Sequence, residues 1–338
     1  MTTTPVSAST RMVGIDLARC VALVSMFVAH VAPSAGPGGV LNLSEFLTAA
    51  LFAMLVGISA ELSKERMNFP TLFASSVVRG IGLIALGLYI ASWGAQVDIV
   101  LQYLGLLSII VALLVFLPTW LNAVIALASW WFTPWAMAYF EPVHQRLVSE
   151  GSLLHYLTLW MFEGPNYRTF TMVAWAAAGI VLIRLVRNRA AALQIFAAPL
   201  LTAAAGATWY YAHTIMEFLP YTGNRWEVGF DLLLAASAVC WCLVIARVFS
   251  RRESFLEIFT VAGRMTLSLY VLQIALLALY ADLAPSYGFS SRDDSWPMLV
   301  FLTVISLLFA WIWHRAFART FIRRGPLETI FALLTGRG

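Results

Sequence analysis

Runs of about 17–25 apolar residues recur along the chain, separated by short polar or charged turns, and a run of that length is what a helix needs to cross a bilayer. Ten such stretches can be read: 14–33, 41–62, 73–93, 97–117, 120–140, 169–186, 193–213, 228–249, 259–283 and 296–316. A longer segment of mixed polarity, 141–168, holds two prolines. The pattern predicts an all-α, polytopic integral membrane protein of about ten transmembrane helices. Residues 153–170, LLHYLTLWMFEGPNYRTF, read as an amphipathic piece on the outer surface or as a cover over an entrance. Small residues four apart, Ala53 with Gly57 and Ala203 with Ala207, predict close helix packing. The polar opening MTTTPVSAST is expected to be an unstructured tail over 1–10, leaving 11–338 as a single membrane domain. Arg11, Arg19 and the apolar run after them resemble a signal peptide, but Asp16 inside the basic part argues for a retained first helix.

Charge supplies the orientation. With the N-terminus in the cytoplasm and ten crossings, only Arg146, Arg168, Arg225 and Arg292 fall outside, so 17 of the 21 Lys and Arg residues lie inside. That is the positive-inside bias, and it places both ends in the cytoplasm. The fourth-to-fifth turn, LPTW, has no charge to test the count. Most acids fall outside, among them Glu141, Glu150, Glu163, Glu217, Glu227, Asp282, Asp293 and Asp294, and give that face the polarity to meet a sugar-like ligand.

Composition narrows the class. Hydrophobic residues make up 61% of the 338 and charged residues only 11%, too few to coat a soluble fold. The net charge of +4 sits in short loops, so it speaks for orientation and against a nucleic-acid partner. Cys20, Cys240 and Cys242 all lie in apolar runs, with no disulfide framework or metal-ligand spacing. No Walker motif, Rossmann fingerprint or serine elbow is present.

Ionisable residues inside a membrane helix usually face a cavity. The first helix carries three: Asp16, Arg19 and His30. At about 100° per residue, Arg19 and His30 fall within roughly 20° of one face, roughly 16 Å apart, and Asp16 within about 60° of it. An interfacial ion pair and a backbone-bonded histidine are the plain alternatives. The functional one is a cation low in the helix and a proton-transferring imidazole high in it. Glu45 opens the second helix, where it either orients His30 or favours the helix start. Arg79 is a snorkelling side chain or a ligand. Asp231 and Glu217 are expected at solvated outer helix ends, and Tyr270 and Gln273, one turn apart, to hydrogen-bond between helices or reach a ligand.

An Arg followed by a His in the first helix resembles the bacterial membrane-bound polysaccharide O-acyltransferases. GIDLARCVALVSMFVAH and LFAMLVGISAEL are similar to the opening helices of the YeiB-type and heparan-alpha-glucosaminide N-acetyltransferase-like proteins. AGRMTLSLYVLQ and RRGPLE resemble the YeiB-type C-terminal signature. The resemblance covers both ends of the chain and little of its middle, and Cys20 stands where these relatives usually carry glycine.

The resemblance implies an acyltransferase of the bacterial inner membrane. It implies acyl-CoA, most simply acetyl-CoA, as cytoplasmic co-substrate, with no tightly bound cofactor and no metal. The acceptor would be a hydroxyl or amine of an envelope glycan or glycolipid outside. Arg19, Arg79 and Arg264 would hold the CoA phosphates. His30, with Arg19, Asp16 and Glu45, would form the catalytic group, His30 acting as general base or transient acyl carrier. Tyr270, Gln273 and Asp231 would meet substrate. A homo-oligomer is compatible with this reading. A transporter or lipid flippase is the competing class, though the sequence lacks the matched broken helices typical of carriers. A non-catalytic subunit of a larger assembly is the third.

Overall fold

The computed structural model describes residues 8–187 and 191–336. The first seven residues of the expected tail lie outside that range, and α1 (Ala8–Val31) opens the fold. Then follow α2 (Leu43–Lys64), α3 (Phe69–Ala91), α4 (Leu101–Leu114), α5 (Thr119–Ser149) and the single turn α6 (Leu154–Thr158). After these come α7 (Thr169–Arg187), α8 (Ala191–Ile215), α9 (Arg225–Val248), α10 (Glu257–Arg264), α11 (Thr266–Leu283), α12 (Trp296–Ala316) and α13 (Pro326–Leu334). Among the described residues, eight helices are long and apolar enough to cross a membrane: α1, α2, α3, α5, α7, α9, α11 and α12.

The core gathers around α1, which packs against α2, α9, α10, α11 and α12. Together with α2, α7 and α9 it is mostly buried, whereas α3, α5 and α12 turn most of their surface outward. Those outward faces are apolar: Trp120, Leu127, Trp135 and Tyr139 on α5, and Val300, Phe301 and Val304 on α12. An apolar exterior around a packed interior suits lipid as solvent.

Small residues set the closest approaches. A Cβ on Gly57 would lie 2.1 Å from the Ala176 carbonyl oxygen, so α2 and α7 meet backbone to backbone, as the Ala53 and Gly57 spacing predicts. Ala203 and Ala207 instead are exposed on α8.

Four departures from the apolar pattern matter for the site. The stretch expected over 97–117 holds α4, only 14 residues, about 21 Å long against a hydrocarbon core of about 30 Å. α5 does not stop near 140. It runs through Pro134 and Pro142 to Ser149, so the first part of segment 141–168 is helix, and the rest folds back against it. Phe140 stacks on Phe162 with centroids 3.9 Å apart, and His144 Nδ1 meets Thr158 Oγ1 at 2.9 Å.

The expected ninth helix, 259–283, is broken. The chain leaves helical geometry at Met265 (φ −105°, ψ 23°), dividing α10 from α11. The cause is tertiary. A Cβ on Gly263 would lie 1.8 Å from the Asp16 carbonyl oxygen, so α10 is pressed against α1. Finally, the tail beyond α12 is structured. Glu328 of α13 accepts hydrogen bonds from the backbone N–H groups of Leu267 (2.8 Å) and Ser268 (3.0 Å) and from the Ser268 hydroxyl. Those amides are the orphan donors of the first turn of α11, capped here from 60 residues away.

Candidate active site

Among the described residues, the candidate site residues fall into three polar groups within the bundle. The largest surrounds a cavity of about 430 Å³ whose lining includes Arg19, Arg79, Arg264, Arg324, Ser59 and Tyr270. Asp16 joins two of these cations. Its Oδ1 accepts from Arg19 Nη1 and its Oδ2 from Arg264 Nε, both at 2.8 Å. Arg19 Nη2 also donates to Ser59 Oγ on α2 at 2.8 Å. One buried carboxylate thus fixes two guanidinium groups and leaves a net positive charge facing the cavity. Planar guanidinium forks match phosphate oxygens, so the rim has the chemistry of a phosphate site.

The second group stands one helical turn from the cavity's Tyr270. On α11, Gln273 follows Tyr270 by three residues, and its Nε2 lies 2.8 Å from His30 Nδ1. The Tyr270 hydroxyl accepts from the backbone N–H of Val100, at the mouth of α4, at 3.2 Å. Two arrangements satisfy the His30–Gln273 separation. If the amide N–H donates to Nδ1, the ring proton sits on Nε2. If the amide turns over, its oxygen accepts from Nδ1–H and leaves the Nε2 lone pair free, the form a base or nucleophile needs. In either arrangement the far end of the Gln273 amide is buried without a partner. Glu45 does not orient His30, contrary to one expectation from the sequence; the imidazole's partner is Gln273.

Glu45 and Asp231 belong to the third group, a narrow chamber with Tyr167, Arg168, Tyr221 and Glu227. Asp231 is not at a solvated helix end. Helix α9 begins at Arg225, three residues earlier than expected, so Asp231 falls inside it, 3% exposed, with Oδ1 unpartnered. Glu227 reaches back to the loop before α9, accepting from Tyr221 N (2.8 Å), Thr222 Oγ1 (2.9 Å) and the Gly223 amide. These bonds hold Tyr221 at φ 63°, a left-handed conformation that a tyrosine rarely adopts. Burial raises the Tyr221 phenol, and the carboxylates of Glu45, Asp231 and Glu227 push it the same way.

The sequence therefore named residues that the fold distributes among three places. Arg19, Arg79, Arg264 and Tyr270 meet at one cavity, with Asp16 behind them. His30 and Gln273 pair beside it, and Glu45 and Asp231 stand in the separate chamber. Ser59, Arg324 and Glu328 escaped the sequence reading. The last two lie in RRGPLE, where a Gly-Pro pair with an acid two residues later is a helix-start signal. Burial raises the Glu328 carboxyl, while the Ser268 hydroxyl and the amides it accepts from pull it down.

No curated protein matches the chain. Residues 12–315 match the family model described as an acyltransferase domain. That match spans most of the cavity wall, the His30–Gln273 pair and the acidic chamber, with Arg324 and α13 beyond it, and the chain belongs to this family of membrane acyltransferases.

Proposed function

We propose that this acyltransferase takes its acyl group from acyl-CoA, most simply acetyl-CoA, at the arginine-rich end of the bundle, and that this end faces the cytoplasm of a bacterial inner membrane. The acceptor is a hydroxyl or amine of an envelope glycan or glycolipid arriving from the opposite side. The observation that carries the reading is the cavity of about 430 Å³, ringed by Arg19, Arg79, Arg264 and Arg324 and ending at Tyr270, one turn from His30 and Gln273. The cations suit the donor's phosphates, and the apolar wall formed by Phe52, Leu55 and Leu104 suits its pantetheine arm.

The reaction balances with one histidine. As base, His30 Nε2 takes the proton of the acceptor hydroxyl while its oxygen attacks the thioester carbonyl. The C–S bond breaks, the ester C–O bond forms, and the proton passes to the departing CoA sulfur. As carrier, Nε2 attacks the carbonyl first and the C–S bond breaks to release the CoA thiolate; the acceptor then displaces Nε2 from the acyl group, and its proton neutralises the thiolate. In both routes Gln273 holds the ring through Nδ1. Tyr270, Gln273 and the residues of the acidic chamber, Glu45 and Asp231, stand where an acceptor would approach.

His30→Ala is the test. The variant is expected to lose acyl transfer by about 10²–10⁴-fold, the usual size of a general-base contribution. CoA binding, measured by calorimetry on the purified variant, should stay near wild type, because His30 does not line the cavity. Transfer at the wild-type rate would remove His30 from the chemistry.

A further inference from the structure

From the last turn of α12 onward the chain carries Arg315, Arg319, Arg323 and Arg324 within ten residues. Arg315 is engaged, 3.8 Å from Glu257. Among the described residues Arg319, Arg323 and Arg324 form no ion pair, and all three are exposed. They line a second cavity, about 330 Å³, with Thr320, Thr329 and Ala332. Arg324 and Ala332 also line the larger cavity, so the two spaces share a wall.

The patch is built rigidly. Trp313 Nε1 donates to the Ile322 carbonyl at 2.9 Å, tying the arginine turn back to α12. Gly325, at φ 117°, turns the chain sharply into α13, a conformation side-chain-bearing residues avoid. Thr329 Oγ1 closes the corner on the Gly325 carbonyl at 2.6 Å. The nearest acid on α13, Glu328, is committed to the amides of α11 and does not neutralise these cations.

We infer that Arg319, Arg323 and Arg324 form the subsite for the nucleotide end of the donor, with Arg319 and Arg323 taking its terminal 3′-phosphate and Arg324 its diphosphate. This rests on the acyl-CoA reading above and adds the place and the order of contacts. The order follows from the linear structure of the donor. Its thioester lies at one end, its diphosphate in the middle and its ribose 3′-phosphate at the far end. With the thioester toward Tyr270, the shared Arg324 meets the middle and the outer pair meets the far phosphate. The same phosphate chemistry also fits an anionic lipid headgroup, since basic residues just past a membrane helix attract such lipids.

The experiment compares CoA with dephospho-CoA, which lacks the 3′-phosphate, on full-length protein in phosphatidylcholine nanodiscs. Wild type is expected to bind CoA about tenfold more tightly, the low end for charge-assisted hydrogen bonds at an exposed site. In the Arg319→Gln/Arg323→Gln variant that preference should vanish while dephospho-CoA affinity stays unchanged, which also shows that the variant is folded. Arg324→Gln should weaken both ligands.

Wild-type binding of CoA with no preference, or a preference that survives the double substitution, overturns the subsite and leaves the donor reading standing. Failure of wild type to bind either ligand removes the donor reading itself. Substitutions that alter only thermal stability in nanodiscs containing phosphatidylglycerol assign the patch to lipid and overturn the inference.

Discussion

Asp16 is the residue on which the cavity's charge arrangement depends, because it lies between two cations on different helices. Replacing it with Asn leaves Arg19 and Arg264 facing one another without a counter-charge. Breaking a buried pair costs about 3–5 kcal/mol, and the partial exposure of both arginines places this case toward or below the low end. Arg264→Ala is milder, since Asp16 then keeps Arg19 as a partner. Thermal unfolding in detergent is expected to rank the two, with Asp16→Asn melting lower than Arg264→Ala. At this scale the sequence was partly legible. Helical periodicity aligned Asp16, Arg19 and His30, because spacing within one helix is fixed by geometry. It had no access to Arg264 or Gln273 as their partners, which are 248 and 243 residues away and are brought there only by packing.

Among the elements, those whose ends coincide with the ends of apolar runs were the readable ones. α12 occupies 296–316, and α7 begins at the expected Thr169. Where a terminus is decided by a distant partner, hydropathy is silent. The break at Met265 leaves the first amides of α11 without intrahelical acceptors, and Glu328 supplies one to Leu267 and Ser268. The expected end of the fifth helix near 140 is another case: α5 continues through Pro142 to Ser149.

The Glu328 cap also has a pH signature. Burial raises its carboxyl above the ordinary glutamate range, so the folded state holds this proton at a pH where the unfolded chain has released it. Stability from this residue is therefore fullest below the unfolded value and declines as pH rises through the folded one. In Glu328→Gln the amide oxygen still accepts from α11, but the site does not titrate. The difference between wild-type and variant melting temperatures is expected to move against wild type as pH rises across that window. A pH-independent difference would show that the carboxyl does not titrate there.

At the scale of the molecule, eight helices among the described residues meet the length and hydropathy of a span, and the charge bias of the loops argues for ten crossings. The two additional ones are α4, only 14 residues long, and α8, 25 residues without an acidic residue, Lys or Arg but interrupted by Pro199. Ten crossings put Ser149 and Ser290 outside and Ser250 inside. The native cysteines are buried, so single cysteines at those positions report cleanly. An impermeant maleimide added to whole cells is expected to label Ser149→Cys and Ser290→Cys, and Ser250→Cys only after lysis. Ser149→Cys labelled only after lysis would leave eight crossings, since without α4 and α8 the end of α5 falls inside while Ser250 and Ser290 keep their sides. α4 brings a further consequence. Gln102 lies level with Gly87, so α3 outruns α4 by about one turn, and the connecting segment ends in the buried Ile99 and Val100, whose amide meets Tyr270. Under the proposed orientation this leaves a septum thinner than the lipid around it, so two large, polar reactants can stay on their own sides while a group of a few atoms makes the journey between them.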